Sequence, residues 1–202
     1  MDEMTGIQAL EHRYPDKPPM PGKPALMEFE YIRHGTTTLI GFFDVATGKA
    51  IAPYLNPTRT EEDYAAAVRA LVETDPLAQW VFINDGLNTH KSEALVRLVA
   101  ELCDIEEDLG VKGRCGILKS QESRMDFLHD KSHRIRFLYT PKHCSWLNQI
   151  EIWFGILNKR LLKRKSYSSV KELEASILRF VEQYNVTAHP FKWNYKGIPL
   201  SA

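Results

Sequence analysis

The sequence predicts an α/β domain built on a mixed sheet. Three observations carry this reading: a hairpin pattern over residues 36–54, a short apolar run that ends on Asn84-Asp85-Gly86, and helical periodicity on both sides of that run.

The elements follow in chain order. Tyr14 to Pro24 holds five prolines. Proline fixes φ and donates no amide hydrogen, so this stretch is extended and irregular. Thr36 to Phe43 is rich in β-branched and aromatic residues; Asp44 to Gly48 then reads as a turn and Lys49 to Tyr54 as the return strand. Thr60 before Glu61-Glu62-Asp63 is an N-cap followed by acids, which the free amides and dipole of a helix start favour. Ala65, Val68, Leu71 and Val72 repeat at helical spacing behind it. Trp80-Val81-Phe82-Ile83 is apolar without alternation, which predicts a strand buried on both faces. A helix follows through Leu95, Val96, Leu98, Val99 and Leu102. Residues 104–134 are polar, contain three glycines and predict no element. Ile135 to Tyr139 alternates like a half-buried strand. After Pro141, residues Trp146, Leu147, Ile150, Trp153, Phe154, Leu157 and Leu161 fall on one helical stripe, with Trp146 expected in the core. A last helix opens at Ser169 with a capping box to Glu172.

With 202 residues and 44% hydrophobic content the chain can bury a core as one domain. No apolar run approaches bilayer length, and Met1-Asp2-Glu3-Met4 is acidic where a signal peptide is basic. A cytoplasmic protein with no membrane partner is expected. Three cysteines without a CxxC pair argue against a disulfide framework and a structural zinc site. The formal net charge is +0, yet it is unevenly spread. Residues 1–110 carry 9 Lys/Arg against 19 Asp/Glu, residues 111–140 carry 7 against 3, and residues 141–202 carry 10 against 4. A basic second half suits a polyanion on one face; uneven surface charge without function explains it equally well.

Two carboxylates stand out. Asp85 sits where an apolar strand runs into a loop, the place where open α/β sheets gather their sites. Asn-Asp-Gly is also good turn chemistry, so position alone favours a plain turn. Glu151 falls roughly 40° beyond Leu147, at the margin of its helix's apolar stripe, so its carboxylate is expected at the edge of the core. A desolvated acid there needs a cation or a donor. A snorkelling surface glutamate is the alternative. Paired carboxylates of this kind suit Mg²⁺, a hard cation held by a few protein carboxylates, waters and phosphate.

Two blocks are recognisable. Asn84-Asp85-Gly86-Leu87-Asn88-Thr89-His90-Lys91-Ser92 and Tyr139-Thr140-Pro141-Lys142-His143-Cys144-Ser145-Trp146-Leu147-Asn148-Gln149-Ile150-Glu151 closely resemble the second-Asp and Ser-Trp-Leu-Asn-x-x-Glu motifs of mariner-like bacterial insertion-sequence transposases, DDE-type enzymes. Asp2-Glu3-Met4-Thr5-Gly6-Ile7-Gln8 resembles that family's first-Asp block. The resemblance covers essentially the whole chain. It implies a ribonuclease H-like mixed sheet flanked by helices and two Mg²⁺ (or Mn²⁺) ions held by Asp2, Asp85 and Glu151. It implies hydrolysis at transposon ends and attack of the freed 3′-hydroxyl on target DNA. It also implies double-stranded DNA as partner, a homo-oligomer on that DNA, and a bacterial, nucleoid-associated location.

Within that reading, the basic run Lys159, Arg160, Lys163, Arg164 and Lys165 is expected to contact phosphates, although cations at a helix end also serve its dipole. His90 and Lys91 are expected to begin a helix beside Asp85 and to contact DNA, with Asn88 or Thr89 as cap. Asn148 is expected to orient a carboxylate or DNA. Residues 104–134 read as an insertion near the active site, either touching DNA or elaborating the surface, and Asp126 and Asp130 in it rank below Asp85 as ligands. In this fold the first Asp lies on the first, central strand. With Asp2 as second residue, that strand is expected to be largely missing and helix-turn-helix modules absent, as in a truncated or split frame with little activity alone. The competing reading is a non-catalytic DNA-binding or multimerisation remnant of a decayed element.

Overall fold

A computed structural model describes residues 1–193, without the side chain of Arg164. Asp2–His12 (β1), Tyr31–Asp44 (β2) and Lys49–Asn56 (β3) form an antiparallel sheet in the order β1-β2-β3. Helix α1 (Glu61–Val72) leads to Trp80–Asn84 (β4), helix α2 (Glu93–Leu102), helix α3 (Gln121–His129) and Ile135–Tyr139 (β5). Strands β4 and β5 pair in parallel, from Trp80↔Ile135 to Asn84↔Tyr139. Helices α4 (Ile150–Arg160) and α5 (Val170–Val186) complete the chain. Antiparallel and parallel ladders flanked by helices make a mixed α/β fold compatible with a ribonuclease H-like architecture.

Period-two alternation in β2 divides the core. Ile40 and Phe42 join α1, α2, α3, β4 and β5 in one apolar cluster; Leu39 and Phe43 join α4 and α5 in the other. β2 is therefore covered on both faces, and Thr37 to Phe43 are buried throughout. Gly41 lies on the α4 side. A Cβ there would stand 2.9 Å from Ile150 Cδ1, so only glycine lets α4 lie this close to the strand. The register partner of Gly41 is Asp2. This close approach brings the helix that carries Glu151 over the strand that starts at Asp2.

Several expectations hold. Thr60 caps α1 with a full capping box to Asp63, and Val68, Leu71 and Val72 are buried. The hairpin turns where expected, with Asp44 paired to Lys49. Ser169 caps α5, but the Glu172 carboxylate bonds the Ser168 amide and hydroxyl instead of closing the box on Ser169.

Others are corrected. β4 is not buried on both faces: Val81 is 45% and Ile83 40% exposed, because their side of the strand faces an open groove. Trp146 is not core. It lies in a 3-10 turn over Ser145–Leu147 ahead of α4 and is 49% exposed. Residues 104–134 are not merely surface. They form α3 and place Leu118, Phe127 and Leu128 in the core, while Arg124 is held inside by the carbonyls of Lys91 and Leu118. Asp126 and Asp130 are exposed. The strand that carries Asp2 is present, and no ladder joins it to β4 among the described residues. On the β2 side, Asp2–His12 form an 11-residue strand. No helix among the described residues is long and apolar enough to cross a membrane.

Candidate metal centre

Three elements converge near the start of β1. β1 contributes Asp2 and Glu3, the end of β4 runs into Asp85, and the 3-10 turn over Asn88–Lys91 contributes His90. The cap of α2 is Ser92, whose hydroxyl accepts from the Leu95 amide, so neither Asn88 nor Thr89 caps it and His90 precedes the helix.

The His90 ring is the internal hub. Its side chain is 0% exposed, with Nε2 2.9 Å from Glu3 Oε2 and Nδ1 2.8 Å from Asp85 Oδ1. Burial alone would lower its pKa, but the hydrogen bonds to Asp85 and Glu3 outweigh burial and raise it to about 9. The imidazolium therefore donates to both carboxylates at neutral pH. Its ring also packs on Tyr64 at 4.5 Å, and its carbonyl accepts from the Tyr139 hydroxyl. The ring expected to contact DNA is thus enclosed, with both nitrogens engaged by carboxylates.

The same contacts fix Asp85. Oδ1 accepts from the Leu87 amide at 3.0 Å as well as from His90, while Oδ2 has no hydrogen bond among the described residues. The His90 hydrogen bond, against partial desolvation, holds the Asp85 carboxyl below its usual range. Asp85 thus presents one oriented anionic oxygen. Just before it, Asn84 is fully buried and neither carboxamide atom is hydrogen-bonded among the described residues.

Asp2 is buried and differently placed. Oδ1 accepts from the Glu3 amide at 2.8 Å. Asn148, 4% exposed, donates Nδ2 to the Met1 carbonyl at 2.9 Å and approaches Asp2 Oδ2 at 3.4 Å. Of its two expected roles, this position beside a carboxylate suits the first better than a DNA contact. Burial, reinforced by the negative charges of Asp85 and Glu151, pushes the Asp2 carboxyl up to about 7. Further negative charge acting on a buried carboxylate suits a multivalent cation, which offsets it.

Glu151 departs from its expected place. It lies in the first turn of α4 and is exposed, not at the core margin. Its field reaches Asp2, but it stands outside the tightest ligand cluster. That cluster is Asp2, Glu3 and His90, whose donor atoms lie within 4.8 Å of one another. Glu3 is the residue that the sequence left out. Its only signal was adjacency to Asp2, and strand alternation places neighbours on opposite faces. The cysteines and His143 join no such cluster among the described residues.

Lys91 is half-buried, its Nζ 5.3 Å from the Tyr139 ring centroid and its charge acting on Asp85. Lys159, Arg160, Lys163 and Lys165 are exposed at the end of α4 and in the turn after it. The Arg164 side chain lies outside the described residues.

The DDE superfamily endonuclease profile fits residues 1–174, a span that contains Asp2, Glu3, Asp85, His90 and Glu151. The chain belongs to the DDE superfamily endonucleases. No curated protein and no solved structure matches it. For a DDE endonuclease, DNA is the implied substrate and divalent metal the typical cofactor. Asp2, Glu3 and His90 bring ligand-type atoms within 4.8 Å of one another, although His90 would have to give up a ring proton now shared with a carboxylate before it could bind a cation.

Proposed function

We propose that this DDE endonuclease is the catalytic domain of a mariner-like insertion-sequence transposase, cutting phosphodiester bonds at transposon ends and joining 3′-hydroxyls to target DNA. One observation carries the reading: Asn148, three residues before Glu151, bonds Asp2, while His90 joins Asp85 to Glu3, so the segments that bear all three carboxylates meet at the start of β1. Asp2, Asp85 and Glu151 would hold Mg²⁺ or Mn²⁺. Two such ions, when bound, activate the attacking oxygen and stabilise the leaving one in an in-line displacement.

The chain's own residues do the positioning. Leu87 and His90 lock one oxygen of Asp85, leaving the other for a ligand. Asn148 and the Glu3 amide orient Asp2. Glu151, exposed at the start of α4, closes the trio from the solvent side. Lys159, Arg160, Lys163, Arg164 and Lys165, with Lys91, supply phosphate contacts that fix the duplex in register without reading sequence. A homo-oligomer on DNA belongs to the same reading.

The second reading, a non-catalytic DNA-binding or multimerisation remnant, is favoured by the exposure of Glu151 and its place outside the cluster of Asp2, Glu3 and His90. Nicking of supercoiled plasmid in Mn²⁺ or Mg²⁺ separates the two. Transposase function requires metal-dependent nicks that leave 3′-hydroxyls and that fall by at least about 100-fold in Asp85→Asn and Glu151→Gln. Metal-independent nicking, or nicking undiminished in both variants, overturns it.

A further inference from the structure

Beyond the metal centre, β1 and the far end of α4 bound a second cavity, of about 340 Å³, within the size range of small-ligand sites. Met4, Leu10 and Leu162, all half-buried, give it apolar walls. Gln8 and Asn158 add carboxamides, and Tyr31, 47% exposed, adds an aromatic ring. Lys163 and Lys165 also line it; both are exposed, and neither pairs with an acid among the described residues. The one acid among its described lining residues, Glu28, has an oxygen held by the amides of Phe29 and Glu30.

A phosphate alone needs cations but no apolar walls, and an apolar ligand needs walls but no cations. Cations beside apolar, aromatic and carboxamide groups suit a nucleotide. Its phosphate is anionic, its base has faces that stack, and the base edge carries donors and acceptors.

The surface of α4 leads from Glu151 to this cavity. Asn158 lies seven residues beyond Glu151, with Gly155 between them. At about 100° per residue the three share one face within about 60°. Gly155 is exposed, and a Cβ built on it meets nothing within 4 Å. Glycine in a helix interior is less stable than alanine, and no packing contact requires this one. It leaves the helix backbone bare between Glu151 and the cavity. Seven residues rise about 10 Å, or about three base steps of a duplex at 3.4 Å each.

We propose that this cavity holds one unpaired nucleotide of the bound DNA, about three base steps from the cut bond, its phosphate at Lys163 and Lys165 and its base in the apolar interior. Gly155 gives the strand its path along α4. The proposal rests on the DNA-cutting reading above. Only an unpaired base can enter, because a paired one stays within its stack.

The test titrates the 202-residue protein, with chelator present, against a short fully paired duplex and the same duplex carrying one unpaired adenine, by fluorescence anisotropy. The unpaired form should bind at least about tenfold tighter, the scale of one base's stacking. Gln8→Trp, at an exposed strand position, fills the cavity and should bring the two affinities within about twofold of each other. Gly155→Gln lays a side chain over the path and should do the same while raising Tm by roughly 1–3 °C, which separates loss of preference from loss of fold. Equal affinities in the wild type overturn the proposal and leave the DNA-cutting reading standing; a protein that binds neither duplex sinks both. A preference that persists in the two variants also overturns it. So does tight binding of free deoxyadenosine monophosphate with no preference between the duplexes, which would assign the cavity to a free nucleotide.

Discussion

The buried His90 hub sets a measurable cost. In His90→Ala the Glu3 carboxylate, 2% exposed, loses the cation it faces at 2.9 Å, and Asp85 loses a partner at 2.8 Å. Breaking a buried ion pair by deleting one member costs about 3–5 kcal/mol, because the remaining charge stays desolvated and uncompensated. For a domain of this size that is a fall in Tm of roughly 6–20 °C. Truncation also strips the ring from Tyr64, so the single variant does not isolate the charge effect. A double-mutant cycle does. Glu3→Gln removes the stranded charge, so Glu3→Gln with His90→Ala should be less destabilised than the sum of the singles by about 2 kcal/mol or more. The assay is urea unfolding followed by circular dichroism at pH 7 with chelator present. Additivity within about 0.5 kcal/mol would show that the two residues do not act as a pair and would refute the reasoning.

Three further outcomes follow from the same geometry. The His90 pKa is raised to about 9, above its unfolded value near 6.5, so its contribution is fully present below about 6.5 and is lost as pH rises through about 9. The Tm gap between wild type and His90→Gln should therefore narrow over that window, and a constant gap would contradict the assignment. Asn84→Leu replaces a buried carboxamide with no partner by an apolar side chain of similar volume, and should raise unfolding free energy by about 1–3 kcal/mol in urea titrations; a decrease would show that the amide is satisfied. Reversing Lys159, Lys163 and Lys165 to glutamate should weaken duplex binding and lower the slope of log K against log salt by about 0.9 for each phosphate no longer neutralised. An unchanged slope would leave that run only its role at a helix end.

Much of this is legible in the sequence, and what is not has local causes. The α1 cap, the turn at Asp44–Gly48 and the Ser169 cap of α5 are short-range signals, and the chain keeps them. Asp85 is legible because strand end and motif coincide. Glu151 is assigned the wrong phase by its apolar pattern. The sequence stripe starts at Trp146, but α4 begins at Ile150 after a separate turn, which narrows the stripe to Ile150, Trp153, Phe154 and Leu157. At about 100° per residue, Glu151 then lies about 110° from the centre of that stripe, on the solvent side. Helix α3 is invisible because its buried residues include Arg124, which no apolar pattern marks. β1 escapes notice because Gly6 and two register shifts interrupt its alternation. The Glu3–His90 pair joins residues 87 apart in sequence, and such a partnership exists only once β1 lies beside the loop after β4.

The central claim is that Asp2, Asp85 and Glu151 together hold the divalent metal. Mn²⁺ binding by calorimetry to the wild type and to single variants tests it most directly. Asp85→Asn and Glu151→Gln should each weaken binding by more than the roughly 10–100-fold that loss of an outer-shell partner costs. Glu3→Gln should fall within that smaller range, because Glu3 is committed to His90. Binding that survives in Asp85→Asn and Glu151→Gln but vanishes in Glu3→Gln would contradict the claim and move the metal to the Asp2–Glu3–His90 cluster.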